Sequence, residues 1–593
     1  MIIKALYEYY DRLLADDDSG VSLPGYSRAK VSFALLLSGT GDLLGVVDLR
    51  VEKGKKFIQR EMNVPEQVKK SSGVSANFLC ETSKYILGLD LKDKKERVKK
   101  AHEACVQLHE EILGEVKDPG AEAVLNFLRN WNVENVAKHP KIVEAMDGML
   151  EGGNLVFRLD RDEKYIHERT ELMQAWSKYH LGQSSEISGQ CLITGQNSPI
   201  ARLHPNIKGV VGAQSSGASL VSFNKDSFTS YGKEQSYNAW ISENATFGYT
   251  TALNWLIGSE KHRMRIGDTT TVFWAERSTN GLEEDLLGAL FYPAREGDKK
   301  GEDEQRQVTR DPQTVKLVHD IFAKVRKGEL VKQELTGVDA DVKFYILGLA
   351  PNASRLSVRF WHVERFGNVI YKIAQHYDDM KIVKSYANEP DFISIGTILK
   401  ESAPLGDAKR ISPLLGGVVM RAILTGMPYP QTLLHSILLR IRADQTVNYV
   451  RAAIIKACLL RNIRYKTKER EVDIAMALDE QNPSVAYRLG RLFALLEKAQ
   501  QDANPGLNAT IKDRYFGSAS ATPRSVFPIL LRLTQHHIAK AEYGRSMDKR
   551  IEEVMGGIDS FPSHLNLEKQ GLFVLGYYHQ RKALYTKNES KEV

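Results

Sequence analysis

Short runs of apolar residues, broken by glycine and charge, fill the first part of the chain, whereas apolar positions recur at helical spacing in the last third. VSFALLLSGTGDLLGVVDLRVEKGKKFIQREM (31–62) reads as strands joined at Gly39-Thr40-Gly41-Asp42 and again near Lys53-Gly54-Lys55. Residues 68–90 offer a loop and another short strand. Helical periodicity follows in KERVKKAHEACVQLHEEIL and ERTELMQAWSKYHL, with one strand, NLVFRLD (154–160), between them. ENATFGYTTALNWLIG (243–258) predicts a helix, TTTVFWAE (269–276) a strand, and KFYILGLAP with RLSVRFWHVERFG (343–367) an antiparallel pair. The charged tract EGDKKGEDEQRQ (296–307) reads as a linker or exposed loop, followed by a helix around 313–327.

Beyond about residue 400 strand patterns nearly vanish. Helices are expected around 447–463, 524–541, 547–557 and 565–585, and Asn482-Pro483 reads as a helix start with Val485, Leu489, Leu492, Phe493 and Leu496 on one stripe. The fold class is therefore α+β. A large mixed amino-terminal domain with antiparallel strands (1–390) is followed by an all-α carboxy-terminal helical bundle (400–593).

Composition narrows the function classes. At 593 residues the chain exceeds a single core, and 42% hydrophobic with 26% charged residues is ordinary for a globular protein. No apolar run is long enough to span a bilayer, and MIIKALYEYYDRLLADDD is acidic and amphipathic rather than a signal peptide, so a cytoplasmic protein without a membrane partner is expected. Cys80, Cys105, Cys191 and Cys458 form no CxxC pair, which argues against a disulfide framework or zinc knuckle. The net charge of +7 is modest, but its distribution is uneven. Arg440–Arg470 holds nine basic residues against two acidic, and Lys512–Arg550 eight against three. Each segment alone reads as a solvated helix face; two in one domain favour a polyanion.

Several motifs fail as chemistry. The glycines of Gly39–Gly45 are followed by a strand, so they make a hairpin turn rather than a dinucleotide loop. His167-Glu168 lacks a second histidine one turn on, no Walker motif occurs, and the adjacent His536-His537 diverge on a helix. Cys191 has only His204 as a nearby second ligand, which favours packing over metal. Asp268, Glu243 and Glu276 share no spacing, and no catalytic constellation, metal site or cofactor motif emerges.

One stretch is unusual in another way: GVVGAQSSGASLVSFN (209–224) contains AQSSGA, with no side chain larger than glutamine. It reads either as a plain surface turn or as a loop thinned for close approach of another molecule.

KSSGVSANFLCETSKYILG (70–88), PIARLHPNIKGVVGAQSSGASLVSFN (199–224), SYGKEQSYNAWISENATFGYTTALNWLI (230–257), GDTTTVFWAE (267–276), FYILGLAPNASRLSVRFW (344–361) and NATIKDRYFGSASATP (508–523) closely resemble the large subunit of type I-C CRISPR Cascade, of the Csd family, in order and nearly end to end. The resemblance implies a non-catalytic subunit of an antiviral, RNA-guided ribonucleoprotein complex. Its partners would be backbone and RNA-capping subunits, a small subunit, double-stranded target DNA, the displaced single strand of the R-loop and a recruited helicase-nuclease, with no cofactor. The amino-terminal domain would inspect the protospacer-adjacent motif (PAM) in duplex DNA, open the strands and dock the complex, and the carboxy-terminal bundle would help hold the displaced strand. The other reading is a nucleic-acid-processing enzyme, a nuclease, whose carboxylates the sequence does not group into a site.

Under that resemblance Gly212, Gln214, Ser215 and Ser216 become PAM or wedge candidates, with Gln214 the one long side chain that both donates and accepts. Lys69, Lys70, Ser71, Ser72 and Gly73 suit a phosphate or minor-groove contact, and Asn77 a base edge; an exposed lysine turn capped by Asn77 is the alternative. Lys208, Asn224, Lys233, Gln235 and Asn238 are weaker candidates. Arg451, Arg461, Arg464, Lys468, Arg514, Arg524 and Arg532 are expected on the backbone of the displaced strand. Because the family makes its small subunit by internal translation, Met476 is the candidate internal start, leaving a small-subunit-like module of 118 residues (476–593).

Overall fold

The computed structural model describes residues 1–53, 56–67, 74–90, 95–182, 187–277, 282–291, 338–469 and 474–585, with Lys316, Val318 and Asp320 besides. The tract 296–307 and most of the helix expected at 313–327 lie outside these residues. Two compact units emerge, Met1–Pro205 with Val221–Trp255, and Asn206–Leu220 with Leu256–Val593.

The first unit opens with helix α1 (Ile2–Leu14) and is organised by strand β1 (Tyr26–Leu37), whose residues 33–35 and 37 are all buried. The predicted hairpin turn is present, with the Gly41 N–H donating to the Ser38 carbonyl and the Ser38 N–H to that of Asp42. It returns the chain as β2 (Leu43–Asp48), antiparallel to the second half of β1, while β3 (Arg60–Pro65) pairs antiparallel with the first half. Strand β4 (Cys80–Thr82) pairs with β5 (Asn154–Leu159). The β1–β5 pair is parallel, with Phe33 opposite Leu155 and Leu35 opposite Phe157. A parallel return needs a crossover, here helices α2 (Lys95–Leu113) and α3 (Pro119–Asn130). Phe33, Leu35, Phe157, Cys105, Phe127 and Trp176, the last on α4 (Thr170–Gly182), share one core; Val31, Ala34, Met62, Val64 and Val156 fill the other face. Both faces are buried, which explains the continuous apolar run. Helix α5 (Glu243–Gly258) has the predicted bounds and carries the unit boundary near its end.

The second unit has an antiparallel sheet in the order β6 (Arg263–Ile266), β7 (Thr269–Ala275), β8 (Lys343–Asn352), β9 (Arg355–Arg365). Met264, Ile266, Phe273, Phe344, Ile346 and Phe360 belong to the same continuous core as helix α6 (Leu282–Phe291) and the helices that follow, from α7 (Phe366–Asp379) to the carboxy terminus. Along the chain the second unit therefore takes in Asn206–Leu220 and everything from Leu256 on, sheet and helices together. A sheet that buries its apolar face on helices cannot be parted from them without exposing that face.

The helical region continues through α8 (Ile395–Ser402), α9 (Leu415–Thr425), α10 (Gln431–Asp444), α11 (Tyr449–Thr467), α12 (Val485–Ala503), α13 (Ile511–Ala521), α14 (Pro523–Lys540), α15 (Gly544–Met555) and α16 (Leu567–Tyr585). Ser484 rather than Asn482 caps α12; the Asn482 side chain instead accepts from the Ser484 N–H at 3.1 Å. Helices α12 and α16 cross at Gly490 and Gly576. A β-carbon at Gly490 would lie 1.9 Å from the Phe573 carbonyl oxygen, and one at Gly576 2.0 Å from that of Tyr487, so the backbones touch directly. Beside the crossing, buried Glu497 accepts from Tyr577 Oη at 2.6 Å and from Arg581 Nη1 at 3.0 Å.

Candidate nucleic-acid interface

The thin stretch is an inserted clip in the second unit, fixed at several points. Ile207 and Ala218 exchange both backbone hydrogen bonds at 2.9 Å, which closes residues 208–217 into a loop. Beyond the closure, the Ser219 N–H donates to the Ser354 carbonyl at 3.0 Å and the Leu356 N–H to the Ser219 carbonyl at 2.9 Å. The Val211 N–H donates to Thr270 Oγ1 on β7 at 3.0 Å, and Ser219 Oγ lies 2.9 Å from Asn206 Oδ1.

Two turns shape the loop. The Ala213 N–H bonds the Val210 carbonyl across Gly212 (φ +79°), and the Gly217 N–H bonds the Gln214 carbonyl. Gly217 sits at φ +89°, where a β-carbon would come within 2.7 Å of the Ile207 carbonyl oxygen. Part of the loop's thinness is thus required by its own turns. What remains for a partner is the apex: Gln214, Ser215 and Ser216 are exposed, and they belong to the same small structure as the β8–β9 tip Asn352-Ala353-Ser354, also exposed. The tip was beyond sequence reasoning, because the Ser219–Ser354 contact joins residues with no shared pattern.

The other amino-terminal candidates fare differently. Lys69, Lys70, Ser71, Ser72 and Gly73 lie outside the described residues. Asn77 is only 5% exposed, and its backbone N–H donates to the buried Glu81 carboxylate at 3.0 Å. Nearby, His109 takes the Leu79 N–H on Nε2 at 3.0 Å and donates from Nδ1 to the Cys105 carbonyl at 2.8 Å. Burial lowers its pKa to about 4. Asn238 is the internal brace of its loop, and Lys233 lies 4.9 Å over the Trp240 ring.

Cys191 packs as expected, buried with Ile241 and Ala245, and its sulfur accepts from the N–H groups of Ser242 at 3.3 Å and Ile193 at 3.4 Å. Burial pushes its thiol up, but hydrogen bonds from Ser242 and Thr194 outweigh that and leave the pKa at about 7. His204 Nδ1 instead meets Tyr249 Oη at 2.6 Å. Asp268 pairs with Arg359 at 2.9 Å, and Glu276 with Lys343 at 2.8 Å.

Burial divides the carboxy-terminal cations. Arg461 is 1% exposed and bonds Asp379 at 2.7 Å and the Ala422 carbonyl at 2.8 Å, with its guanidinium 4.4 Å over the Tyr429 ring. Arg464 pairs with the same Asp379 at 3.0 Å, and Arg451 is held by Glu401 at 2.7 Å and Asp444 at 2.6 Å. These three arginines serve the packing of α7, α8, α10 and α11, and a phosphate in solvent cannot reach Arg451 or Arg461 without unpacking the helices. By contrast Lys468, Arg514, Arg524 and Arg532 are exposed. Arg524 and Arg532 stand about two turns apart on α14. Beside them Ile529 and Leu533 are exposed by 46% and 41%, which periodicity alone did not single out. Met476 is exposed in the connector before α12, and its carbonyl accepts from the Val383 N–H at 2.8 Å.

Among the described residues no helix is long and apolar enough to cross a membrane. Residues 6–585 match the family model Cas_Csd1, described as a CRISPR-associated protein. The chain belongs to the Cas_Csd1 family of CRISPR-associated proteins, and so to the subunits of Cascade complexes. Comparison with curated proteins returns no match.

Proposed function

We propose that this chain is the large, non-catalytic subunit of a type I-C Cascade acting in the cytoplasm, which inspects target DNA for the PAM and helps open the duplex. The observation that carries this reading is the pinned clip of residues 206–220, which presents Gln214, Ser215 and Ser216 on a narrow, fully braced apex. A small apex enters a groove without steric conflict, and Gln214 supplies both a donor and an acceptor for base edges. Lys69 and Lys70 are proposed to set register on the phosphates of the same duplex. The displaced strand is proposed to run over the exposed cations Lys468, Arg514, Arg524 and Arg532, which read no sequence. The small subunit is proposed to arise from Met476, and the helicase-nuclease to be recruited once the strands are parted.

The test is a mobility shift of the assembled, guide-loaded complex on matched-PAM and altered-PAM targets. Gln214→Ala combined with Ser215→Ala should lower affinity for the matched target and narrow the gap between the two. Unchanged discrimination would remove the clip from PAM reading. Cleavage of labelled DNA by the purified protein with Mg²⁺ would favour the nuclease reading instead.

A further inference from the structure

The first unit holds a second braced tip, in the region of the weaker candidates Asn224, Lys233, Gln235 and Asn238, whose most exposed residue, Tyr231, was not among them. Residues 224–234 are exposed without interruption, and at their turn Tyr231 is 97% exposed. Ser230 and Lys233 pair across the turn, with the Lys233 N–H donating to the Ser230 carbonyl at 3.0 Å. Tyr231 (φ +51°) and Gly232 (φ +69°) both take the left-handed conformation, the pattern of a type I′ turn. Its first central position favours Asn, Asp or Gly, and a bulky aromatic there is an outlier.

The strain is held in place from inside. The Asn238 carboxamide accepts from the Ser230 N–H at 2.9 Å and donates to the carbonyls of Lys233 at 2.7 Å and Gln235 at 2.9 Å. Lys233 rests over the Trp240 ring, and the Phe228 and Thr229 N–H groups close the preceding turn onto Lys225 and Asp226. A large ring is therefore kept in water, in an unfavourable backbone conformation, on a tip whose neighbours Ser230 and Gly232 add no bulk. Strain of this kind persists where the surroundings over-determine it, and it concentrates at functional positions.

The ring, and not charge, is what the tip offers. Lys225 and Lys233 are balanced by Asp226 and Glu234, so the loop carries no net attraction for a phosphate backbone. A slender, neutral, aromatic-tipped loop suits stacking on an unstacked base, which is sequence-tolerant because every base has a π-face. We infer that Tyr231 is the stacking wedge of this protein, whose ring replaces the stacking lost when the first base pair of target DNA opens. The inference rests on the DNA-opening function proposed above and adds the residue that stabilises the parted state.

The experiment uses the assembled, guide-loaded complex on a matched-PAM duplex with 2-aminopurine in the first base pair of the target, alongside the same target with that segment already mismatched. Tyr231→Gly removes the ring and suits the turn, so loss of folding does not confound it. It should slow opening of the intact duplex by about tenfold or more, leave the mismatched target nearly unaffected, and be rescued in Tyr231→Phe. Wild-type opening in Tyr231→Gly, an equal defect on both targets, or failure of the Phe variant to rescue would each overturn the wedge. So would loss of complex assembly in Tyr231→Gly, which would make the tip a protein contact. If the wild-type complex itself does not open matched duplex, the DNA-opening reading falls, and the wedge with it.

Discussion

Replacing Arg461 with methionine separates the two roles this residue could have. In the sequence it sits in the densest basic segment, yet its guanidinium is buried against Asp379 and the carbonyls of Ala422 and Met427. Removing one partner of a buried ion pair costs about 3–5 kcal/mol. Two features place this case near the lower end: Arg464 remains to neutralise Asp379, and Arg461 Nη2 has no hydrogen-bond partner to lose. Methionine refills much of the volume but restores none of the polar contacts. Arg461→Met should therefore destabilise the second unit by about 3 kcal/mol, against about 0.5 kcal/mol or less for the exposed Lys468→Ala. Urea unfolding followed by far-UV circular dichroism reads the midpoint shift at constant slope, and a salt titration of target binding reads the phosphate contribution. If Arg461→Met keeps wild-type stability and instead flattens the salt dependence, the burial argument is wrong and Arg461 touches DNA.

Neutral, buried His109 makes the first unit acid-labile. Its folded pKa of about 4 lies below the ordinary value of 6.5, so the unfolded chain binds the extra proton and stability falls as pH drops from about 6.5 towards 4. At pH 5 the loss from this group alone is about 2 kcal/mol, measurable as a fall in Tm between pH 7 and pH 5; a flat profile would mean the ring is hydrated. Gly217→Val meets both a left-handed backbone and the Ile207 carbonyl, and should cost about 1–3 kcal/mol in thermal melts, where Gln214→Ala costs nearly nothing. Replacing Arg524 and Arg532 together with alanine should reduce the salt slope of target binding by about 2, alike on all targets, with Tm unchanged; a loss confined to one PAM would contradict a backbone role. If Met476 is an internal start, Met476→Leu abolishes a separately detected carboxy-terminal fragment.

Elements whose apolar pattern is local were legible in the sequence. The GTGD hairpin, the helix 243–258 and the β8–β9 pair all stand where periodicity and turn chemistry put them. Contacts that join distant segments were not. The parallel β1–β5 pair, the anchoring of Ser219 on the β8–β9 tip and the sharing of one core by sheet and helices each depend on tertiary packing. Charge misled for the same reason: Arg451, Arg461 and Arg464 look like a surface stripe until the carboxylates Glu401, Asp444 and Asp379 arrive from other helices. In GAQSSGA (212–218), the two glycines that invited a functional reading turn out to be owed largely to turn geometry, which leaves Gln214 and the two serines as the part that awaits a partner.

The most direct test of the clip places a photo-crosslinking phenylalanine derivative at position 214 of the assembled complex and irradiates it on end-labelled target DNA. The account predicts adducts on the duplex nucleotides of the PAM, lost when the PAM is altered. Adducts on the displaced strand alone, or on protein with none on DNA, would contradict it.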